Sequence, residues 1–253
     1  MLQVALIWAA LALAMMAVAE VCFRAATRHG RGDGPDAVGG VDTIMSATLA
    51  LTALLLALSF SVAQGHYDER RQLVVAEANA IGTTLLRQQL LAEPDRAQLR
   101  PLMRAYVLAR RMAVADEPRD RDAAEAQRQT DSLQARIWAV TGQALRTPEG
   151  AATITPLLLT TNEMFDAAEA ERAAREVRIP DRTLRVLVLL TLGAAGLFGV
   201  GLAARRRREL AASTLLFALI ALTMSLIYDL DAPSSGGIRT PHESMDRLAQ
   251  GLS

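Results

Sequence analysis

The chain contains no lysine: its 27 cationic side chains are all arginine, matched by 27 Asp and Glu to a net charge of zero. That balance excludes a general nucleic-acid partner, because no surplus of positive charge exists to meet phosphate. The lysine gap itself points to no function. A single cysteine, Cys22, excludes a disulfide framework and a thiol pair for metal or redox chemistry, and it reads as structural. The three histidines, His29, His66 and His242, fall in three separate segments. No paired-His metal motif, nucleophile elbow or phosphate loop occurs, so an enzyme is not expected.

Charge is missing most conspicuously from four stretches: Leu2–Ala19, Ile44–Ala63, Val186–Ala204 and Leu210–Tyr228. Each holds 18 to 20 residues without a single charge. Hydrocarbon about 30 Å thick takes roughly 20 helical residues at a 1.5 Å rise, so each run is long enough to cross a bilayer. The first run is not preceded by Lys or Arg, and Glu20-Val21-Cys22 is no small-residue cleavage context, so it reads as a retained span rather than a signal peptide. Glu20 and Arg24, four residues apart, pair on one face where that helix ends.

The charged residues concentrate in one 118-residue insert, Asp68–Arg185, large enough for its own core. Leu73, Glu77, Ile81 and Leu85 form a stripe on a helix that continues out of the second run. Glu93-Pro94 breaks it. A second helix carries Leu99, Leu102, Met103, Tyr106 and Val107 and ends at Pro118; a third runs from about 119 to 145. The turn Thr147-Pro148-Glu149-Gly150 leads to a fourth, over about 152–177, with Ile154, Leu158, Thr161, Phe165 and Ala168 on one side. No β signal competes. The expected fold is all-α: a polytopic membrane protein with four transmembrane helices and an antiparallel four-helix soluble bundle inserted between helices two and three. Its parts are a first membrane hairpin (1–66), the bundle (67–183), a second hairpin (184–229) and a polar C-terminal tail (230–253).

Apolar run, Arg-bearing connection, apolar run, then Tyr-Asp occurs twice, ending at Tyr67-Asp68 and at Tyr228-Asp229. The repeated plan predicts that both pairs meet one membrane surface. The connection Arg205–Glu209 is short and holds four consecutive arginines. Short Arg-rich loops stay cytoplasmic while long inserts translocate, which places the termini and the bundle outside, on the periplasmic side of a bacterial inner membrane.

Within the second run, Thr48, Thr52 and Ser59 fall on one face with Leu55 or Leu56 between them. In a ring of such helices they would supply hydroxyl donors for an anion and an apolar constriction. Hydroxyls at helix interfaces also simply bond neighbouring helices. Gly193, Gly196 and Gly199 with Ala195 form a small-residue strip suited to close packing. In the bundle, Glu77 lies on the apolar stripe, and Asn79, Asn162, Glu163 and Asp166 fall near its level by helix rise. A carboxylate there needs a partner. Either an arginine such as Arg70, Arg71 or Arg104 pairs with it, or Glu77, Glu163 and Asp166 hold a hard divalent cation such as calcium. The alternating carboxylates of Asp229-Leu230-Asp231 match only a fragment of a calcium loop and also suit capping and turn formation.

The stretch Tyr67-Asp68-Glu69-Arg70-Arg71, followed by Leu73-Val74-Val75-Ala76-Glu77-Ala78-Asn79-Ala80-Ile81-Gly82-Thr83, resembles the signature of a bacterial bestrophin-like membrane family. Three further segments agree in order and spacing: Leu99-Arg100 through Tyr106-Val107; Asn162–Asp166 ahead of Arg178-Ile179-Pro180; and Ile227-Tyr228-Asp229-Leu230-Asp231 with Pro233, Gly237 and Ile238. The resemblance implies a four-span protomer assembled as a homo-oligomeric ring, a pentamer, that conducts an inorganic anion such as chloride. It also implies the bundle on the membrane side opposite to the arginine reading. The competing function is a non-conducting membrane sensor or scaffold that binds a partner through its bundle.

Overall fold

In a computed structural model of the chain, residues 2–28, 35–115, 120–144, 151–206, 208–231 and 241–252 are described. They form eight helices and no strand: α1 (Leu2–Arg28), α2 (Pro35–Gln88), α3 (Glu93–Ala115), α4 (Asp120–Ala144), α5 (Ala151–Glu176), α6 (Asp181–Ala204), α7 (Leu210–Asp231) and α8 (Glu243–Gln250). Four stretches are long and apolar enough to cross a membrane, within Leu6–Arg28, Gly39–Gln88, Ile154–Ala204 and Leu210–Asp231. The protein is an all-helical polytopic membrane protein. Its residues group into two compact units, 1–65 with 178–238 and 66–177 with 239–253.

In the first unit α1 packs along α6 and α7. Apolar side chains gain nothing by leaving lipid for each other, so small residues that admit close backbone approach must hold these helices together. Gly199 meets that need: a Cβ there would lie 2.1 Å from the Ala19 carbonyl oxygen. At Gly196 it would meet Cys22 Sγ at 3.2 Å, which gives the lone cysteine a packing role, and at Gly201 it would meet Met45 Sδ at 2.8 Å. Gly193, from the same strip, has nothing within 4 Å. Edge-on Phe198 and Phe217, centroids 5.8 Å apart, fill space between α6 and α7. Ile179 N–H donates to Asp231 Oδ2 at 2.8 Å, so the last residue of α7 ties down the segment entering α6 at Pro180.

The second unit has a conventional apolar core. Val74 and Ile81 of α2, Leu99, Met103 and Tyr106 of α3, Ile137 of α4, Ile154, Leu157 and Met164 of α5, and Met245 of α8 all lie in it. Pro94 sits in the first turn of α3, where its missing N–H costs no bond. Thr84 Oγ1 donates to the Thr160 carbonyl at 3.0 Å and Arg87 Nη1 to the Pro156 carbonyl at 2.6 Å, joining α2 to α5. Residues 241–252, expected as polar tail, contribute α8. Its Met245 is fully buried, and Arg111 of α3 bonds Asp246 at 2.6 Å. The periodicity is there in the sequence, since Met245, Leu248 and Leu252 fall three and four apart, but eight residues are too few to stand out without a partner face.

Candidate functional site

Four charged side chains of the second unit are buried, Arg70, Glu77, Arg110 and Glu171, and the last three meet in one cluster. Arg110 extends the α3 stripe Leu99, Met103, Tyr106 at the same spacing of four, three, four. Glu171 extends the α5 stripe Thr161, Met164, Ala168, and Glu77 interrupts the stripe of α2. All three have 3% exposure or less. Arg110 is the hub. Its Nε donates to Glu77 Oε1, and its Nη2 lies 3.0 Å from Glu77 Oε2, 3.0 Å from Glu171 Oε2 and 3.5 Å from the Ala168 carbonyl. Half-buried Arg175 closes the set: Nε donates to the other Glu171 oxygen and Nη1 to the Ala113 carbonyl. Two guanidiniums and two carboxylates give the cluster zero net charge, the condition under which ions tolerate burial.

Burial raises the Glu77 pKa above the ordinary carboxylate value, against the pull of Arg110. Burial also works against the charge on Arg110, but the hydrogen bond and charge of Glu77, followed by Glu171, outweigh it and raise that pKa too. Arg110 is therefore a permanent cation, and Glu77 is the member whose charge is least comfortable. Tyr106, one turn away and accepting from Gln134 Nε2 at 3.4 Å, is pushed up to about 12 by burial. The cluster pins α2, α3 and α5 in one register.

The arginine reading of Glu77 thus meets a different partner. Arg70 is buried, while Arg71 and Arg104 are exposed. The divalent-cation reading is corrected: Glu77 is fully buried whereas Glu163 and Asp166 are exposed, and Asp166 accepts from Asn162 at 2.8 Å. Helix rise put them on one level but the helix faces separate them. Among the described residues no three His, Cys, Asp or Glu could hold a metal ion. Asn79 is exposed, and Tyr67 and Asp68 are half-buried. Tyr228 is half-buried and tilts against Trp8 with centroids 6.0 Å apart; Asp229 is half-buried, and Asp231 is the buried acceptor for Ile179.

On α2 in the first unit, Thr52 and Leu56 are buried within the chain, with Thr48, Leu55 and Ser59 half-buried beside them. Thr48 donates to the Ile44 carbonyl at 2.8 Å and Thr52 to the Thr48 carbonyl at 2.7 Å, so these hydroxyls are satisfied by their own helix. The exposed side carries Leu51, Leu54, Leu58 and Val62.

Four apolar spans, together with a helical unit that buries an ion cluster, define an all-helical integral membrane protein. The chain matches the Bestrophin-like domain over residues 9–245 and belongs to the Bestrophin-like family. Its fold is that of solved bacterial relatives. A bacterial Bestrophin homologue from Klebsiella pneumoniae shares 14% identity, with 97% of this chain and 95% of that chain covered and a TM-score of 0.69. A single-substitution form of that homologue covers 99% of both chains at 14% identity and a TM-score of 0.70. A further structure, described as a membrane protein, covers 100% and 98% at 14% identity and a TM-score of 0.71. Comparison with curated proteins gives no match.

Proposed function

We propose that the protein assembles as a homo-oligomeric ring, five subunits by family resemblance, and conducts inorganic anions through a pore lined by α2. The family match over residues 9–245 carries this reading. One feature of the first unit supports the role of α2: Ile44, Leu51, Leu54, Leu58 and Val62 leave one side of it exposed. A helix left with one broad free side is suited to face its copies in a ring. The burial of Thr52 and Leu56 moves the proposed lining to the adjacent strip, in which half-buried Thr48, Leu55 and Ser59 border exposed Leu51, Leu58 and Val62. Hydroxyl levels then flank an apolar one, an arrangement that solvates an anion at both ends and gates by dewetting in the middle.

The test is ion flux through the purified full-length protein in liposomes, under a chloride gradient and then a potassium gradient, with the oligomer mass measured in detergent. Chloride-dependent flux from a defined ring supports the reading. A silent monomer or dimer overturns it and turns attention to partner binding by the second unit.

A further inference from the structure

The turn between α6 and α7 is built at a cost. Arg206 adopts φ 54°, the left-handed region, which disfavours any residue with a Cβ by roughly 1–2 kcal/mol. Glycine would relieve this, yet residues 205–208 are all arginine. Beside the turn lies a cavity of about 370 Å³ whose walls include Met16 and Ala17 of α1, Leu202 of α6 and Leu210 of α7. Its rim is charged. Arg208 reaches Glu20 Oε1 at 3.3 Å and lies 4.8 Å over the Phe23 ring, with 54% of its side chain still exposed. Glu20 is shared with Arg24, at 2.7 Å. One carboxylate is shared between these two guanidiniums, and the four consecutive arginines 205–208 outnumber the second rim carboxylate, Glu209. Arg205 is held separately by Asp42 at 2.8 Å, and Glu209, the other carboxylate at the rim, is exposed.

The cavity therefore presents an apolar wall and a guanidinium rim at the end of two apolar helices. A free inorganic anion would meet the rim but leave the wall unfilled; a neutral amphiphile would do the reverse. We infer that this cavity binds an anionic phospholipid, its phosphodiester at Arg208 and an acyl chain along Met16, Ala17, Leu202 and Leu210. Cation–π contact with Phe23 holds the guanidinium in place, so little side-chain entropy is lost when the phosphate displaces Glu20 from it. Clustered basic residues at the end of a membrane span are the usual means by which anionic headgroups are retained. The inference stands whether or not the protein conducts ions.

Native mass spectrometry of the full-length protein, released from neutral detergent with titrated phosphatidylglycerol or phosphatidylcholine of the same acyl chains, tests it. Phosphatidylglycerol should be retained more tightly than phosphatidylcholine. Arg208→Gln should weaken retention about fivefold, the change equivalent to the ~1 kcal/mol that each basic side chain contributes near an anionic lipid surface. Ala17→Trp should also lose retention by filling the cavity. Glu20→Gln should tighten it, an opposite effect that misfolding cannot imitate. Equal retention of the two lipids, unchanged binding in Ala17→Trp, or displacement of phosphatidylglycerol by millimolar inorganic phosphate would each overturn the assignment.

Discussion

The two units solve the problem of holding helices together in opposite ways. In the first, α1 and α6 meet backbone to backbone, with Gly199 against Ala19, and large apolar side chains such as Leu54, Leu189 and Leu215 remain exposed. In the second, large apolar side chains are buried and a cluster of charged groups is buried with them. The difference follows from solvent. Lipid offers no hydrophobic gain for association, leaving close packing to decide. Water supplies that gain at about 25 cal/mol per Å² of apolar surface, enough to carry a buried ion cluster whose return is register rather than stability.

The sharpest way to break the comparison is to remove the hub. Arg110→Met leaves Glu77 and Glu171 buried together with only Arg175 to balance them. The expected loss is about 3–5 kcal/mol, the range for a buried ion set deprived of one partner. A denaturation series of the full-length protein in detergent would measure it. Sign matters here: burial holds the folded pKa of Glu77 above its unfolded value, and without Arg110 nothing from that side pulls it back. Its favourable contribution is complete below the ordinary value of 4.5 and is lost as pH rises through the raised value. The deficit of the variant should therefore shrink on acidification. A deficit constant between pH 7 and 5 would show that lost packing, not stranded charge, is the cause.

The first unit should instead be sensitive to a single methyl group. Gly199→Ala forces α1 away from α6, because the obstacle is the Ala19 backbone and cannot rotate aside; about 1–3 kcal/mol of overpacking strain is expected. Gly193→Ala, one turn and a half earlier on the same helix with open space around it, should change stability by less than about 0.5 kcal/mol. Thermal melts of the two variants side by side decide whether close approach or merely glycine content matters.

Neighbouring leucines on α2 separate packing from conduction. Leu56 is 6% exposed and Leu55 half-buried. Leu56→Ala should cost about 1 kcal/mol of packing in a membrane helix, where the transfer contribution is absent and the cavity contribution remains. Leu55→Ala should leave stability almost unchanged and raise chloride leak in liposomes. The reverse pattern would remove this strip from the pore.

Much of this was legible in the sequence. Helix boundaries in the second unit followed from Pro94 and from 3.6-residue stripes, and the spans followed from uncharged runs. The identity of Glu77's partner did not follow. Arg110 was visible as a charge on the Leu99, Met103, Tyr106 stripe, but which arginine meets which glutamate depends on the rotation of each helix about its axis, and sequence spacing leaves that free. The same freedom made Glu163 and Asp166 look like neighbours of Glu77. Likewise Thr52 and Ser59 share a face by count, whereas only packing against the rest of the chain shows that face turned inward at Thr52. Long-range bonds such as Ile179 N–H to Asp231 carry no periodic signal at all.

An effect smaller than that of Arg110→Met bears on the second unit's tolerance of charge. Glu77→Gln keeps the shape of the side chain and leaves Arg110 and half-buried Arg175 to share Glu171, and one amide N–H now faces the Arg110 donors. Burial already raises the Glu77 pKa, meaning that the folded protein holds the ionised form less willingly than the unfolded chain does. The variant escapes that cost while losing one charge-assisted bond of about 1.5–3 kcal/mol. The two effects oppose, and a net loss of about 1 kcal/mol near pH 7 is expected, well below that of Arg110→Met. Because glutamine does not titrate, wild type should gain on the variant as pH falls from neutrality toward 4.5, where Glu77 takes up its proton in the folded state first. Denaturation midpoints of the pair at pH 7 and pH 5 measure this. A gap that widens with rising pH in favour of wild type would mean that the carboxylate is better held than its burial suggests, and that the ion cluster adds net stability to the core around it.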